Sequence, residues 1–517
     1  MYHRSSALVR RSLSVAVLTA LTVGFSTGAF AQATTGTIYG DAPAAAGESV
    51  TVEGSTGVTR TVQVDSRGKY SAGSLPLGNY TVSLMRDGAT VDSRKNVSLT
   101  LGGGTQVSFT ESSSTSATDL TSVQVTANSL PAIDVTQVDS RTTITSEQLA
   151  RLPLQRSAEA VATLAPGVNR GSSYFTGPTG QVLNSFGGSS VAENAYYING
   201  FNTSDPLKNF GGLTLPYGAI DQEQVLTGGY GAQYGRSDGG VISQVGKRGT
   251  NEWHFGAQIL WQPKQTAANP KNTYYPSGPQ FLSAADGGAQ GEEYAYRNKN
   301  KSATQTVDAY FGGPLIKDKL FIFGAVEAER IVDGKQVQTS QVNQSVNYSY
   351  NNPKYYAKLD WNITDNNILE FTTASQKQEY TPQVYDYTYP AIGGSKDKGQ
   401  QGEYLSPGTY TNSGARVAIA KYTGYITDDI TIDALYGKML QTDFNRTAGG
   451  PDAPVLNGQF QDPTLNGGIP NVGPQTTRTT VDNPNARDRT RNLRLDLNWK
   501  IGAHSITAGI DNLDTTS

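Results

Sequence analysis

The 517 residues include no cysteine, so neither a disulfide framework nor a Cys-based zinc site is available. Histidine is almost as scarce, and His3, His254 and His504 include no pair with metal-ligand spacing. Charged residues make up 16% of the chain with a formal net charge of -3, which argues against a nucleic-acid polyanion as partner. With no cysteine nucleophile and no paired histidines, nothing supports catalysis, and neither a cofactor nor a metal is expected. Asp511 and Asp514 lack the repeated acidic spacing of a calcium loop and read as part of a solvated turn. After the first thirty residues no run approaches the roughly 20 apolar residues that a spanning helix needs. That excludes helical passage through a membrane and leaves passage by strands open.

The amino terminus is composed as an export signal. Arg4, Arg10 and Arg11 precede a mostly apolar stretch from Leu13 to Phe25, and Ala29-Phe30-Ala31 supplies a small-x-small site, with cleavage expected between Ala31 and Gln32. A short amphipathic anchor is the alternative, and it has no use for that site. The Arg10-Arg11 pair also fits a twin-arginine signal, but that route carries folded cargo, so general export is expected. Residues 1–31 are assigned to the signal peptide.

From 36 to 110, short β-rich runs such as SVTVEG, TRTVQVD and NYTVSLM alternate with glycine turns, the pattern of a small sandwich. Asp65-Ser66-Arg67-Gly68-Lys69-Tyr70 and Leu75-Pro76-Leu77-Gly78-Asn79-Tyr80 resemble the carboxypeptidase-regulatory-like domain. The resemblance implies a spacer or docking module and no peptidase, since this region has no histidine or cysteine to hold zinc. Residues 111–130 read as a linker, opening with the polar tract ESSSTSATD. Within it Ser122, Val123, Gln124, Val125, Thr126 and Ala127 fit an ordinary edge strand when taken alone.

The neighbouring residues change that reading. Residues 131–250 resemble the plug domain of TonB-dependent outer-membrane receptors, with separate elements in the family's order. Ser146 to Pro153 is similar to the plug's first helical turn, and Ser157 is placed to cap a helix running to Leu164 before Pro166-Gly167 stops it. Tyr197-Ile198-Asn199-Gly200 resembles a strand and turn that commonly carry Asp where Asn199 stands. Gly228 to Ile242, with Tyr234, Gly235, Arg236, Gly239 and Gly240, is similar to the Oar-like, adhesin-type branch. So many glycines also suit turns packed inside a lumen, and neither phosphate-loop spacing is present. The resemblance implies that Ser122 to Ala127 is the TonB box, the segment that meets the periplasmic TonB protein.

From 251 to 517 the residues alternate. Leu493, Leu495, Leu497, Trp499 and Ile501 share one face, and Asn492, Arg494, Asp496, Asn498 and Lys500 share the other. Trp253 to Trp261 and Tyr355 to Ile363 repeat the design with aromatics at the ends, as lipid-facing strands with interfacial girdles do. The periodicity predicts about nine strands, starting near 251, 302, 319, 353, 367, 415, 430, 490 and 504. Short turns alternate with long polar loops, as periplasmic turns and external loops do in outer-membrane barrels. A soluble sandwich of long hairpins is the rival architecture.

The expected fold is therefore mainly β: a small sandwich, an α/β plug and a partial antiparallel transmembrane barrel. Open edges are costly in hydrocarbon, and the resemblance implies a barrel of about 22 strands, so an amino-terminal fragment of a longer receptor is expected. It also implies an energy-coupled importer in the outer membrane of a Gram-negative bacterium, its amino-terminal domain periplasmic. The partners are TonB, outer-membrane lipid and an unknown ligand that is a siderophore, an oligosaccharide or a peptide. A surface adhesion or structural barrel without active transport is the alternative.

Overall fold

The computed structural model describes residues 34–44, 47–109, 139–172, 174–274, 293–295, 297, 300–337, 344–388, 400–446, 483, 485–502 and 504–517. The expected signal peptide with Ala29, Ala31 and Gln32 lies outside the described residues, as does Ser122 to Ala127.

The first strands are β1 (Thr35–Asp41), β2 (Glu48–Gly54), β3 (Thr59–Gln63), β4 (Lys69–Pro76), β5 (Asn79–Arg86), β6 (Ala89–Ser98) and β7 (Gly104–Gln106). They form one sheet in the order β4-β1-β7 and a second in the order β3-β2-β5-β6. Alternation builds the shared core: in β5, Tyr80, Val82 and Leu84 are buried between more exposed neighbours. They pack with Ile38, Val50, Val52, Leu75, Leu99 and Leu101.

The plug contributes β8 (Ser140–Thr145), β9 (Val168–Arg170), β10 (Asn184–Phe186), β11 (Ala195–Ile198), β12 (Phe201–Asn202), β13 (Ile220–Gly228) and β14 (Val241–Gly246). Five of these form a mixed sheet in the order β12-β11-β14-β13-β8, and β9 pairs with β10. A helix at Ser146–Arg151 begins with a capping box in which Thr145 and Gln148 each satisfy the other's backbone N–H. The next helix, Ala158–Ala162, begins at the expected cap Ser157 but stops before the expected Leu164. There the Thr163 hydroxyl donates to the Ala160 carbonyl at 2.6 Å, and Gly167 turns the chain at φ +79°.

The wall comprises β15 (His254–Gln262), the short β16 (Thr273–Tyr274) and β17 (Glu293–Ala295), β18 (Ser302–Ile316), β19 (Leu320–Val337), β20 (Gln344–Thr364) and β21 (Asn367–Tyr380). It continues with β22 (Gln383–Thr388), β23 (Gln400–Pro407), β24 (Tyr410–Tyr425), β25 (Ile430–Arg446), β26 (Asp488–Ile501) and β27 (His504–Thr516). The nine long strands follow one another antiparallel, β15-β18-β19-β20-β21-β24-β25-β26-β27, and β22 and β23 extend the sheet beside β20. β15 and β27 stand at its two ends and do not pair with each other, so the wall is open. In β26, Leu493, Leu495, Leu497 and Trp499 are exposed while Asn492, Arg494 and Asp496 are buried on the plug side. The apolar stripe is therefore the lipid-facing one and the polar stripe faces the lumen.

Candidate functional site at the plug and wall interface

β11 ends at Ile198, and Asn199 and Gly200 follow with φ values of +48° and +83°. Two successive positive φ values make the tight turn for which an Asn-Gly pair is suited. This turn carries Asn199 to the wall. Its Nδ2 donates to the Tyr356 hydroxyl at 3.2 Å and to Thr372 Oγ1 at 3.0 Å, while its Oδ1 accepts from the Gly246 amide at 2.9 Å.

The other resembled plug residues form a separate cluster. Tyr234 packs edge-on against Tyr197 at 5.3 Å and against Tyr230 at 6.0 Å, in a small core with Ala195, Leu226 and Val241. Gly240 belongs here for want of space: a Cβ would lie 2.1 Å from the Phe186 ring, and one at Gly239 would lie 2.6 Å from Asn194 Oδ1. Gly235 closes the 3-10 turn at Ala232–Tyr234, and Arg236 is exposed beside it. The structure thus places Tyr197, Tyr234, Gly239 and Gly240 inside the plug, and Asn199 and Gly200 at its boundary with the wall.

That boundary is held by charge. Near the long-loop half of the lumen, plug Arg156 binds Asp308 at 2.7 Å and Glu327 at 3.3 Å, and donates to Gln258 at 3.0 Å. Glu327 also binds Lys354 at 2.9 Å and accepts from the Tyr217 amide at 2.9 Å. The Arg156 guanidinium lies 4.5 Å above the Tyr217 ring. Toward the short turns, plug Arg248 pairs with Asp360 and, at 2.9 Å, with Glu370. Lys358 shares both carboxylates, at 3.4 Å and 2.8 Å. These side chains are almost wholly buried, and each charge has an opposite partner, the condition under which burial is tolerated. Uncharged contacts add to them: Gln376 bridges the Thr214 amide at 3.0 Å and Thr179 Oγ1 at 2.6 Å, and Gln441 donates to Asp205 at 2.5 Å.

Neither arginine stood out in the sequence. The wall partners had a signal, since Lys358, Asp360 and Glu370 occupy lumen-facing positions of alternating strands, but nothing local distinguishes Arg156 or Arg248. A cavity of about 740 Å3 lies between the plug and the long-loop half of the wall. Arg156, Arg170, Glu329, Lys354, Tyr350 and Trp261 are among its lining residues. Its size is within the range of ligand sites, and its lining offers charges of both signs with aromatic surface.

Inside the plug, Glu159 and Glu223 are buried, and burial raises the Glu159 carboxyl to about 7. Burial lifts Glu223 well above the usual carboxylate range, and Glu159 adds to that shift. Glu223 accepts from Gln244 Nε2 at 2.9 Å. At Asp221 and Lys247 burial likewise favours the neutral form, raising the carboxyl and lowering the ammonium.

A family model described as TonB-dependent Receptor Plug Domain matches residues 134–242, and one described as Outer membrane beta barrel domain matches residues 335–516. The TonB-dependent transporter Oar of Myxococcus xanthus is 28% identical over 278 residues, covering 51% of this chain and 23% of that protein. Among solved structures, the outer membrane transporter YddB of Escherichia coli superposes with a TM-score of 0.47 at 14% identity, covering 71% of this chain and 46% of that one. The siderophore receptor PirA of Acinetobacter baumannii gives a TM-score of 0.43 at 17% identity, covering 73% and 48%. This chain therefore spans less than a quarter of the curated relative and about half of these solved structures.

Proposed function

We infer what the protein does from one premise: the chain belongs to the TonB-dependent receptor family, Oar-like, in the outer membrane of a Gram-negative bacterium with its plug on the periplasmic side. Members of that family are transporters and receptors rather than enzymes. We propose that the complete protein imports a ligand too large or too scarce for open pores, using energy from the inner membrane. In this reading residues 1–31 are the signal peptide, 36–110 a carboxypeptidase-regulatory-like sandwich, 111–130 a linker with the TonB box, 131–250 the plug and 251–517 wall strands.

The observation that carries the reading is how the plug is held. Arg156 and Arg248 fasten it through buried ion pairs, set beside an apolar cluster in which Ile198, Phe201 and Leu215 of the plug meet Phe323, Val417 and Leu435 of the wall. Charged contacts exchange for water once a path opens, so such a plug is firmly seated and still removable. A barrel serving only adhesion has no need of a removable plug. The cavity beside Arg156 is the proposed first binding place, and its mixed charges suit a polar ligand such as a siderophore, oligosaccharide or peptide.

TonB is the proposed energy partner, engaged by Ser122 to Ala127 through β-augmentation, in which an extended segment adds a strand by main-chain hydrogen bonds. Proline defeats such pairing because it removes an N–H and fixes φ. Val125→Pro in the complete receptor is expected to abolish energy-dependent uptake while surface abundance and ligand binding stay normal. Val125→Ile is expected to be nearly silent. Wild-type accumulation by the proline variant in energised cells would overturn the importer reading in favour of adhesion.

A further inference from the structure

We propose that the amino-terminal sandwich is a releasable clasp: it ties the plug to the short-turn rim of the wall, and the plug leaves the lumen only after the sandwich lets go of that rim. This rests on the importer reading only in that passage requires plug movement.

On the plug side, the sandwich is read as though it were a neighbouring strand. Gln222 of β13 accepts from the Leu101 amide at 2.8 Å and donates to the Leu99 carbonyl at 2.7 Å. Gln224, two residues on and on the same face, donates to the Leu101 carbonyl at 2.7 Å. One amide side chain thus supplies both the donor and the acceptor that a paired peptide group supplies. Arg141 adds a bond to the Gly102 carbonyl at 2.7 Å, and Val245 of β14 packs into the sandwich core. Gln222 and Gln224 are buried, and the sandwich residues they bind take part in covering them.

On the wall side the same sandwich reaches four short turns or strand ends. The Asn251 amide donates to the Ser55 carbonyl at 3.0 Å, and Asn362 Nδ2 to the Thr56 carbonyl at 3.0 Å. The Tyr425 hydroxyl donates to the Ser74 carbonyl at 2.7 Å, while Arg60 lies 4.1 Å above the Tyr425 ring. Gly57, at φ +71°, sits so close to Asp318 that an added Cβ would be 2.5 Å from its carbonyl oxygen. The sandwich therefore spans plug and wall at once, and the plug cannot move out while both sets of contacts hold.

Which set breaks first is decided by its chemistry. The wall-side set consists of hydrogen bonds and one cation–π contact around a small apolar patch of Val58, Ile368 and Tyr425. Water replaces such bonds at little net cost. The plug-side set includes burial of Val245 in a large continuous apolar core. The rim contacts release before either the sandwich or its hold on the plug is lost, so sandwich and plug move together.

None of the 517 residues is cysteine, so an engineered pair meets no competing thiol among them. Ser55→Cys with Asn251→Cys bridges sandwich and rim where the backbones are already hydrogen-bonded. The complete receptor, purified and placed in a planar bilayer, is opened with urea, and the rate at which current appears is read in the oxidised and the reduced state. Oxidation is expected to slow opening at least tenfold, and dithiothreitol is expected to restore it in the same sample. Arg60→Ala with Tyr425→Phe, which loosens the rim without a cross-link, is expected to speed opening about fivefold. Equal rates in the oxidised and reduced protein would overturn the proposal, as would an unchanged rate in the loosened variant. The current needs neither TonB nor an energised membrane, so this outcome is independent of the Val125→Pro experiment.

Discussion

In β26 of the wall, Asn492, Arg494 and Asp496 are buried and Leu493, Leu495 and Leu497 are exposed. In β14 of the plug, all six residues from Val241 to Gly246 are buried, Ser243 and Gln244 included. The wall strand has one face for lipid and one for the lumen, so polarity alternates with the side chain. The plug strand has protein on both faces, and its polar residues must find partners there, as Gln244 does in Glu223. The contrast teaches how the two bodies meet: buried polar side chains of the plug face the polar stripe of the wall, beside an apolar cluster that joins Phe201 and Leu215 to Phe323, Val417 and Leu435. Their fit is set by charge, hydrogen bonds and apolar contact together.

The largest way to break this arrangement is at a charge that crosses it. Arg248→Ala leaves Asp360 and Glu370 to the remaining lysines, and losing one partner of a buried pair costs about 3 to 5 kcal/mol. Hydrogen exchange at β13 and β14 is expected to rise accordingly while wall amides stay protected. Equal exchange in both proteins would mean that water already reaches the pair.

A second test uses pH inside the plug. The Glu159 carboxyl, raised by burial to about 7 from its ordinary 4.5, is held neutral in the folded plug. Its contribution is fully present below the unfolded value and is lost as pH rises through the folded one. The plug is expected to weaken between pH 5 and pH 8, by an amount on the order of 3 kcal/mol, since a tenfold change in proton affinity is worth about 1.4 kcal/mol. Glu159→Gln should reduce that dependence and leave the part due to Glu223 and Asp221, and a plug exchange profile that falls as steeply with pH in the variant as in the unaltered protein would count against it.

The wall's two faces are compared by placing the same residue on each. Arg at Leu495 is expected to cost about 2 to 4 kcal/mol if it sits near the bilayer midplane, and Arg at Asn498 much less. Folding of the complete receptor into lipid vesicles measures both, and equal costs would mean that both stripes are wet. The smallest effect is expected at Tyr356→Phe, which removes one acceptor of Asn199 Nδ2 and leaves Thr372 as the other. It should loosen the turn at Asn199 by roughly 0.5 to 1.5 kcal/mol, read from local exchange.

The same contrast explains what was legible in the sequence. Wall strands advertise themselves because lipid and lumen impose a period of two, and the nine long strands follow it. The Asn199-Gly200 turn and the Ser157 cap are local, so their residues disclose them. Thr145 and Gln148 also stand at capping-box spacing, a local signal for the helix that starts at Ser146. The charge contacts carry no such mark. Arg156 meets Asp308 and Glu327 across 152 and 171 positions, and only folding brings them together. The strands of the plug read weakly for a related reason: burial on both faces erases alternation.

The length of β20 has a consequence for how far the protein stands out of its membrane. The strand has 21 residues, and it pairs without interruption with β19 from Trp361 out to Gln344. A tilted strand needs only about 10 residues to cross the hydrocarbon. At about 3.4 Å per residue, the remaining ten or so carry the hairpin roughly 30 Å beyond it. On that outer stretch Tyr348 and Tyr350 lie 5.8 Å and 5.0 Å from Tyr380, ring to ring. A molecule arriving from outside meets an aromatic vestibule at that height, well before it reaches the level of the lipid.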